Sequence, residues 1–183
     1  MGILCKRTYI IYHKQLLFKP TPNIYVMYLT IPSNKFEINN IIISDKSKNN
    51  VIENSFFYRI YYSNNIVSMN GIYIKFNLYD LGIEEYYNKI KCNFSRYDER
   101  NKQVINKLVE IEHEILKNYI QLTQNPVYTI REQLVNYYIK LFHKDSNKLH
   151  GNLARLSVVL KISGIWLTNK EHGLTFRFII VDK

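Results

Sequence analysis

Alternating apolar and polar positions run through the first 80 residues and predict β-strands there. In residues 72–79 the even positions are apolar, whereas the odd positions are tyrosine, lysine and asparagine. Successive side chains on a strand point to opposite faces, so this segment has one core face and one face of rings and cations. Asn70-Gly71 directly precedes it and favours a type I′ turn, which would join it to a short partner strand at 66–69.

The spacing of apolar residues changes in the middle of the chain. Between residues 99 and 122 they recur every three or four positions, which is typical of an amphipathic helix. The segment 129–132, Thr-Ile-Arg-Glu, has the pattern of a capping box and predicts the start of a second helix. One side of that helix would carry Ile130, Leu134, Tyr138 and Leu141.

Strand patterns return after a loop that contains Gly151. Residues 156–166 and 174–181 flank a polar turn at 168–173, which predicts a β-hairpin. In its first strand Lys161 lies opposite an apolar face, and in its second strand Arg177 does. The polar run 45–50 is interpreted as a loop.

This order predicts one domain, residues 1–183, with strands over 8–80, helices over 99–143 and a C-terminal hairpin over 153–182. A mainly β fold of the α+β class is compatible with this order of elements. The specific expectation is a small OB-like β-barrel with two helices before the C-terminal hairpin, between its third and fourth strands. Barrel closure would remove exposed strand edges. An open α+β sandwich is the alternative.

Composition adds a strong basic excess. The chain has 25 Lys and Arg against 15 Asp and Glu, a net charge of +10, and 16 tyrosines. Such a charge favours a polyanionic partner, although an AT-rich genome would also raise the lysine count. Cys5 and Cys92, with no signal peptide, indicate free thiols in an intracellular, cytoplasmic protein. No apolar stretch reaches the length of a membrane span, so we expect no membrane partner.

Catalytic motifs are lacking. The five histidines are scattered, and the sequence contains no HExxH, CxxC, Walker A or GxSxG pattern. Glu110, Glu112 and Glu114 fall at alternate positions of the predicted helix, so we expect a solvated face and not a carboxylate site. The sequence therefore predicts a protein that is not an enzyme and has no metal, cofactor or catalytic residue.

The strand faces that combine rings and cations are the candidate binding surface. Unpaired bases stack on flat side chains, and phosphates attract cations. Each residue taken alone also has a simpler interpretation, because Tyr favours strands and Lys favours strand edges. The candidate nucleic-acid-binding residues are Phe57, Arg59, Tyr61, Tyr73, Lys75, Tyr79, Lys161, Trp166 and Arg177.

The C-terminal hairpin resembles that of a known family. Ser163-Gly164-Ile165-Trp166, a polar turn, and then Gly-Leu-Thr-Phe-Arg-Phe from residue 173 are similar to the last hairpin of OB-fold single-stranded DNA-binding proteins. Those proteins come from AT-rich large DNA viruses and from yeast cytoplasmic linear plasmids. The likeness covers residues 160–180 only. It implies a replication protein without cofactor, with Trp166 stacking on bases and Lys161 and Arg177 contacting phosphates.

Two functions are compatible with these patterns. The first is a single-stranded nucleic-acid-binding protein, for DNA before RNA, that acts in DNA replication in the cytoplasm or at a viral replication site. The alternative is a non-enzymatic structural or host-interaction protein of a virus or plasmid, with the Tyr-rich surface as a protein interface. A homo-oligomer is compatible with both.

Overall fold

The computed structural model describes residues 11–15, 26–86, 89–119, 122–142 and 151–181. Predicted strand residues 8–10, Cys5 and the predicted helix end at 143 lie outside these ranges. In chain order the elements are β1 Ile11–Gln15, β2 Val26–Pro32, β3 Ile41–Lys48, β4 Phe56–Ser63, β5 Ser68–Asn70, β6 Ile72–Tyr86, β7 Lys89–Phe94, α1 Glu99–Glu114, β8 Asn125–Val127, α2 Thr129–Val135, β9 Tyr138–Phe142, β10 Asn152–Leu167 and β11 Glu171–Ile180. Two 3₁₀ turns, Ser33–Lys35 and Ile38–Asn40, precede β3, and a π-helical turn, Ile115–Tyr119, follows α1.

Five of the strands form a closed β-barrel. Strand β6 pairs with both β7 and β10, β7 pairs with β9, and β10 pairs with β11, all antiparallel. The barrel closes where β9 runs parallel to β11 at Leu141 and Phe178. Outside it, β4, β3 and β5 extend the sheet from the end of β10, and β2 and β1 extend it from β6.

Alternation along the strands builds the core. Every even residue of the segment 72–79 is buried and every odd one is half-buried, so the predicted two-faced strand is confirmed. In β10 the inward parity changes at a register shift between Ile162 and Gly164, which keeps Ile165 and Leu167 buried. The apolar faces of α1 and α2 join the same core as the strands.

Helix α1 is held against the barrel by a buried amide. Strand β6 is irregular at Asp80, whose φ is 55°, and backbone groups beside this irregularity need partners. The Asn101 side chain accepts the backbone N–H of Tyr79 and donates to the carbonyls of Tyr79 and Ser95, each at 2.9 Å. One side chain therefore satisfies backbone groups of β6 and of the segment before α1, and fixes the start of α1.

The predicted extent of the helices is wrong. Helix α1 starts at Glu99 as expected, but α2 ends at Val135, and 138–142 is strand β9. Tyr137, with a φ of 57°, separates the two elements. The alternation of buried Ile139 and Leu141 with outward Lys140 suits a strand better than a helix. The helices consequently lie between the second and third barrel strands and not between the third and fourth.

Three smaller expectations also need correction. Strand β5 pairs with β4 and not with β6, and only Gly71 of the Asn70-Gly71 pair has positive φ, so there is no type I′ turn. Strand β3 extends to Lys48, through most of the predicted loop at 45–50, because β4 pairs with it there. Glu112 is 1% exposed rather than solvated, since α2 packs over it.

Candidate nucleic-acid interface

None of the nine candidate residues lies in the core. Arg59 and Arg177 are exposed, and the other seven are half-buried. Strand register brings three of them side by side on the outer barrel surface, because Lys161 pairs with Tyr73 of β6 and with Arg177 of β11. The Lys161 Nζ atom lies 5.1 Å from the centroid of the Tyr73 ring.

Two lysines that the sequence did not single out extend this arrangement. Since Leu141 pairs with Phe178 in parallel, the preceding residues Lys140 and Arg177 also lie side by side. Lys140 in turn pairs with Lys91 of β7. We call this set across four neighbouring strands the cationic row: Lys161, Arg177, Lys140 and Lys91.

Like charges therefore face each other across consecutive strands. Lys91 has a carboxylate nearby, Glu84 at 3.8 Å, but within the described part of the chain the other three members form no ion pair. Opposed like charges destabilise a sheet. The Tyr138 ring is near two of the cations, 5.1 Å from Lys91 Nζ and 5.6 Å from Lys140 Nζ. The row is thus both basic and aromatic, and a bound polyanion would relieve its repulsion.

A second group of candidates lies nearer the β10–β11 turn. Trp166 pairs with Phe57 of β4, and Arg59 pairs with Gly164 two residues away. The Trp166 ring lies so close to Gly173 that a Cβ there would be 2.7 Å from its Cζ2 atom, and Phe57 covers Gly164 in the same way. Each ring is therefore set against backbone on one side. We call Phe57 and Trp166 the ring pair.

The remaining three candidates lie apart from the row and the ring pair. Tyr61 pairs with Asn70 and Ile42, far along β4 from Phe57. Lys75 and Tyr79 share the outer face of β6 with Tyr73 but face helix α1, where both line a groove. Strand pairing therefore brings six of the nine candidates together in two clusters, one on the barrel and one where β4 joins β10, and the other three lie outside both clusters.

The missed residues have an identifiable sequence signal. Tyr138 and Lys140 alternate with Ile139 and Leu141, which is the same two-faced pattern that marked β6. Lys91 alternates likewise with buried Ile90 and Cys92. The alternation at residues 138–141 was concealed because residues 138–142 were assigned to a helix. The alternation around Lys91 falls in strand β7, which was not predicted.

Cys92 and Glu112 are titratable groups buried inside the protein. Burial raises the pKa of the Cys92 thiol to about 12, so it stays protonated and unreactive. Glu112 accepts the backbone N–H groups of Ile130 at 2.9 Å and Arg131 at 2.6 Å, which caps the start of α2. Burial raises the pKa of Glu112, and these two hydrogen bonds oppose the rise. Within the described ranges no three His, Cys, Asp or Glu residues come together as metal ligands.

Among the described residues, no helix combines the length and the apolar character needed to cross a bilayer.

Comparisons with other proteins leave the surface as the main guide to function. Protein-family models, curated proteins and solved structures gave no significant match to the chain.

Proposed function

We propose that this protein binds single-stranded DNA on the outer surface of its barrel, without catalysing a reaction, and acts in DNA replication. The observation that carries the proposal is the cationic row, in which four cations lie on successive strands with one carboxylate beside them. A polyanion that follows the row would replace like-charge repulsion by attraction and would release its own counterions.

Aromatic rings at the row favour a single strand over a duplex. Tyr73 and Tyr138 each lie within 6 Å of a cation of the row, and both are half-buried. Bases in a duplex are already stacked on each other, whereas unpaired bases are free to stack on such rings. Each base stacked on an aromatic side chain contributes roughly 1–3 kcal/mol.

The barrel topology supports the same assignment. In chain order, the first barrel strand pairs with the second and the fourth, and the third runs parallel to the fifth. This is the strand order of an OB-fold, and we infer that the barrel belongs to that class. OB-folds bind oligonucleotides on their second and third strands. Those strands here are β7 and β9, which carry Lys91, Tyr138 and Lys140. The likeness of the C-terminal hairpin to single-stranded DNA-binding proteins is independent support.

Salt dependence is the first test. Titration of a fluorescein-labelled oligo-dT, followed by anisotropy at several salt concentrations, gives the slope of log K against log salt. Four neutralised phosphates predict a slope of about −3, because each contributes about −0.7 on a single strand. Absence of binding at low salt, or a slope near zero, would contradict the proposal.

A double variant localises the interaction. Lys140→Gln with Arg177→Gln removes two cations from the centre of the row and should reduce the slope by about 1.4. The matched control is Lys117→Gln with Arg131→Gln, which removes the same charge from exposed positions on other elements. Equal losses in both variants would mean that net charge alone attracts DNA.

The alternative, a protein interface, predicts a different result. A self-associating or partner-bound protein would elute from size-exclusion chromatography at the same position with and without the oligonucleotide. The DNA-binding protein should instead co-elute with a labelled oligo-dT. Parallel titrations with oligo-dT, oligo-rU and duplex DNA test the preference for DNA and for a single strand.

A further inference from the structure

A groove of about 550 Å³ lies between β6 and helix α1. Lys75 and Tyr79 of β6 form one wall, Arg100 and Lys107 of α1 form the other, and the turn at 32–34 closes one side. Among the described residues that line it there are three cations and no carboxylate. The groove is therefore suited to an anionic group.

Arg100 is held in position within this groove. Its guanidinium lies 3.6 Å from the centroid of the Tyr79 ring. Its Nε and Nη2 atoms donate to the Asp98 carboxylate at 3.0 Å and 2.7 Å, and that carboxylate also accepts the Arg100 backbone N–H as the α1 N-cap. Hydrogen bonds from Arg100 lower the pKa of Asp98 to about 2, so the pair persists over the usual pH range.

The fixed guanidinium keeps donors for a ligand. An arginine has five N–H groups, and Asp98 uses one on Nε and one on Nη2. Within the described residues, Nη1 makes no hydrogen bond to an acid and only Asp98 pairs with the side chain. Because the ring and the carboxylate already restrict its rotamers, binding a phosphate would cost less conformational entropy than usual.

The groove also adjoins the cationic row. Tyr73, next to Lys161, and Lys75, which lines the groove, are alternate residues on the same face of β6. They are therefore about 7 Å apart along the strand, and Tyr79 lies about 20 Å from Tyr73. A strand of DNA that crosses β11 and β10 at the row would meet the groove next.

We propose that the groove between β6 and α1 is a second phosphate-binding site, which takes the phosphodiester backbone of the same DNA strand as it leaves the cationic row. This inference rests on the proposed function. Arg100 binds a phosphate with its remaining donors, Lys75 and Lys107 contribute charge, and the Lys107–Glu110 ion pair exchanges its carboxylate for the phosphate. That surface pair, at 3.1 Å, is of the exposed type that is readily broken.

Length dependence of binding tests this second site. An oligo-dT of about four nucleotides should occupy the row alone, whereas one of about twelve should reach the groove, since OB-folds bind roughly 4–16 nucleotides. Arg100→Gln should weaken binding of the longer oligonucleotide about tenfold and leave the shorter one unchanged. Lys107→Gln should reduce the salt slope for the longer oligonucleotide by about 0.7.

Lys102→Gln is the matched control, because Lys102 is an ion-paired lysine of the same helix that does not line the groove. Thermal unfolding monitors the fold of each variant. If Arg100→Gln folds poorly, Lys107→Gln tests the groove in its place, because it leaves the Arg100–Asp98 pair intact. An equal effect of Lys102→Gln would overturn the inference.

Other outcomes separate this inference from the proposed function. If the row variant loses affinity while Arg100→Gln and Lys107→Gln match the native protein at both lengths, the groove takes no part and the proposed function stands. If dTMP or inorganic phosphate protects the native protein against heat but not Arg100→Gln, while long oligonucleotides bind both equally, the groove is a small-anion site and the inference is wrong. If no oligonucleotide binds the native protein, both proposals fail.

Discussion

The inner and outer faces of β10 and β11 differ in composition. On the inner face Leu160 and Phe178 are at most 1% exposed, and most of the buried side chains are apolar. On the outer face Lys161 and Arg177 lie directly opposite each other, an arrangement that costs stability. The same outer face buries Val159 and Ile179, which pair with each other two residues away. The cost in stability is therefore confined to the opposed cations of the row.

The largest expected effect comes from the inner face. Phe178→Ala should lower the free energy of unfolding by about 3–5 kcal/mol, since it leaves a cavity beside the rings of Phe76 and Phe176. Urea denaturation followed by circular dichroism measures this. Arg177→Ala, the neighbouring residue on the outer face, is the control and should stay within about 0.5 kcal/mol of the native protein. Similar losses for both would remove the contrast between the faces.

Glu112 is an exception to the apolar interior, and its removal should have the next largest effect. Glu112→Ala leaves two buried N–H groups at the start of α2 without an acceptor, which should cost about 2–3 kcal/mol. Glu114→Ala, two residues further along α1 and half-buried, is the control for loss of a helix carboxylate. Chemical denaturation of both variants decides whether the cap stabilises the fold.

The pH dependence of stability checks the same residue. Because the folded-state pKa of Glu112 lies above its ordinary value of 4.5, the folded protein retains a proton that the unfolded chain has lost. The contribution of Glu112 to the free energy of unfolding is therefore full below pH 4.5 and falls as the pH rises through the folded-state pKa. Glu112→Gln should remove this part of the pH dependence. An unchanged pH profile would mean that the carboxylate is ionised normally.

Trp166 tests whether a ring on the outer face stacks on a base or only packs against the protein. It is the single tryptophan of the chain, so its fluorescence reports on its own surroundings. If a base stacks on the ring, oligo-dT should quench this fluorescence, and Trp166→Leu should weaken binding by about 1–3 kcal/mol. Tyr97→Leu removes an exposed ring, 83% accessible, from outside the surface and should have no effect. Unquenched Trp166 in a complex that forms would assign the ring to packing over Gly173.

The smallest effect concerns the free protein. Arg177→Gln or Lys140→Gln relieves like-charge repulsion in the row and should raise the free energy of unfolding by about 0.2–1 kcal/mol at low salt. At about 1 M salt the gain should disappear, because the screening length falls to about 3 Å. Thermal unfolding in both conditions measures the difference. A loss of stability in low salt would show that the row stabilises the fold by contacts other than charge.

Long, regular segments of this fold were predictable from sequence, and short ones were not. Segment 72–79 and the C-terminal hairpin alternate over many residues, and both form the expected strands. Residues 138–142 are too few to separate the two periodicities, because Tyr138 and Leu141 also continue the helical spacing of α2. The turn at Tyr137, in a conformation unusual for tyrosine, decides between them.

The site was predictable in its chemistry but not in its extent. The outward faces of rings and cations follow from alternation, and all nine candidates lie outside the core. Which strands lie side by side depends on tertiary pairing, as where Lys140 of β9 meets Arg177 of β11. The burial of Glu112 depends likewise on α2 packing against α1. Local sequence does not encode such pairings.

Because the barrel is closed, its curvature limits which kind of polymer could bind along the cationic row. The line of paired residues starts at Tyr73 on β6, crosses β10, β11, β9 and β7, and returns to β6 at Glu84, opposite Lys91 and eleven residues further along. It is a spiral that crosses five strands over a path of about 24 Å. Double-helical DNA stays nearly straight over about 500 Å and resists such curvature, whereas a single strand bends freely. A polymer bound along the row would therefore have to be flexible enough to follow the curvature of the barrel.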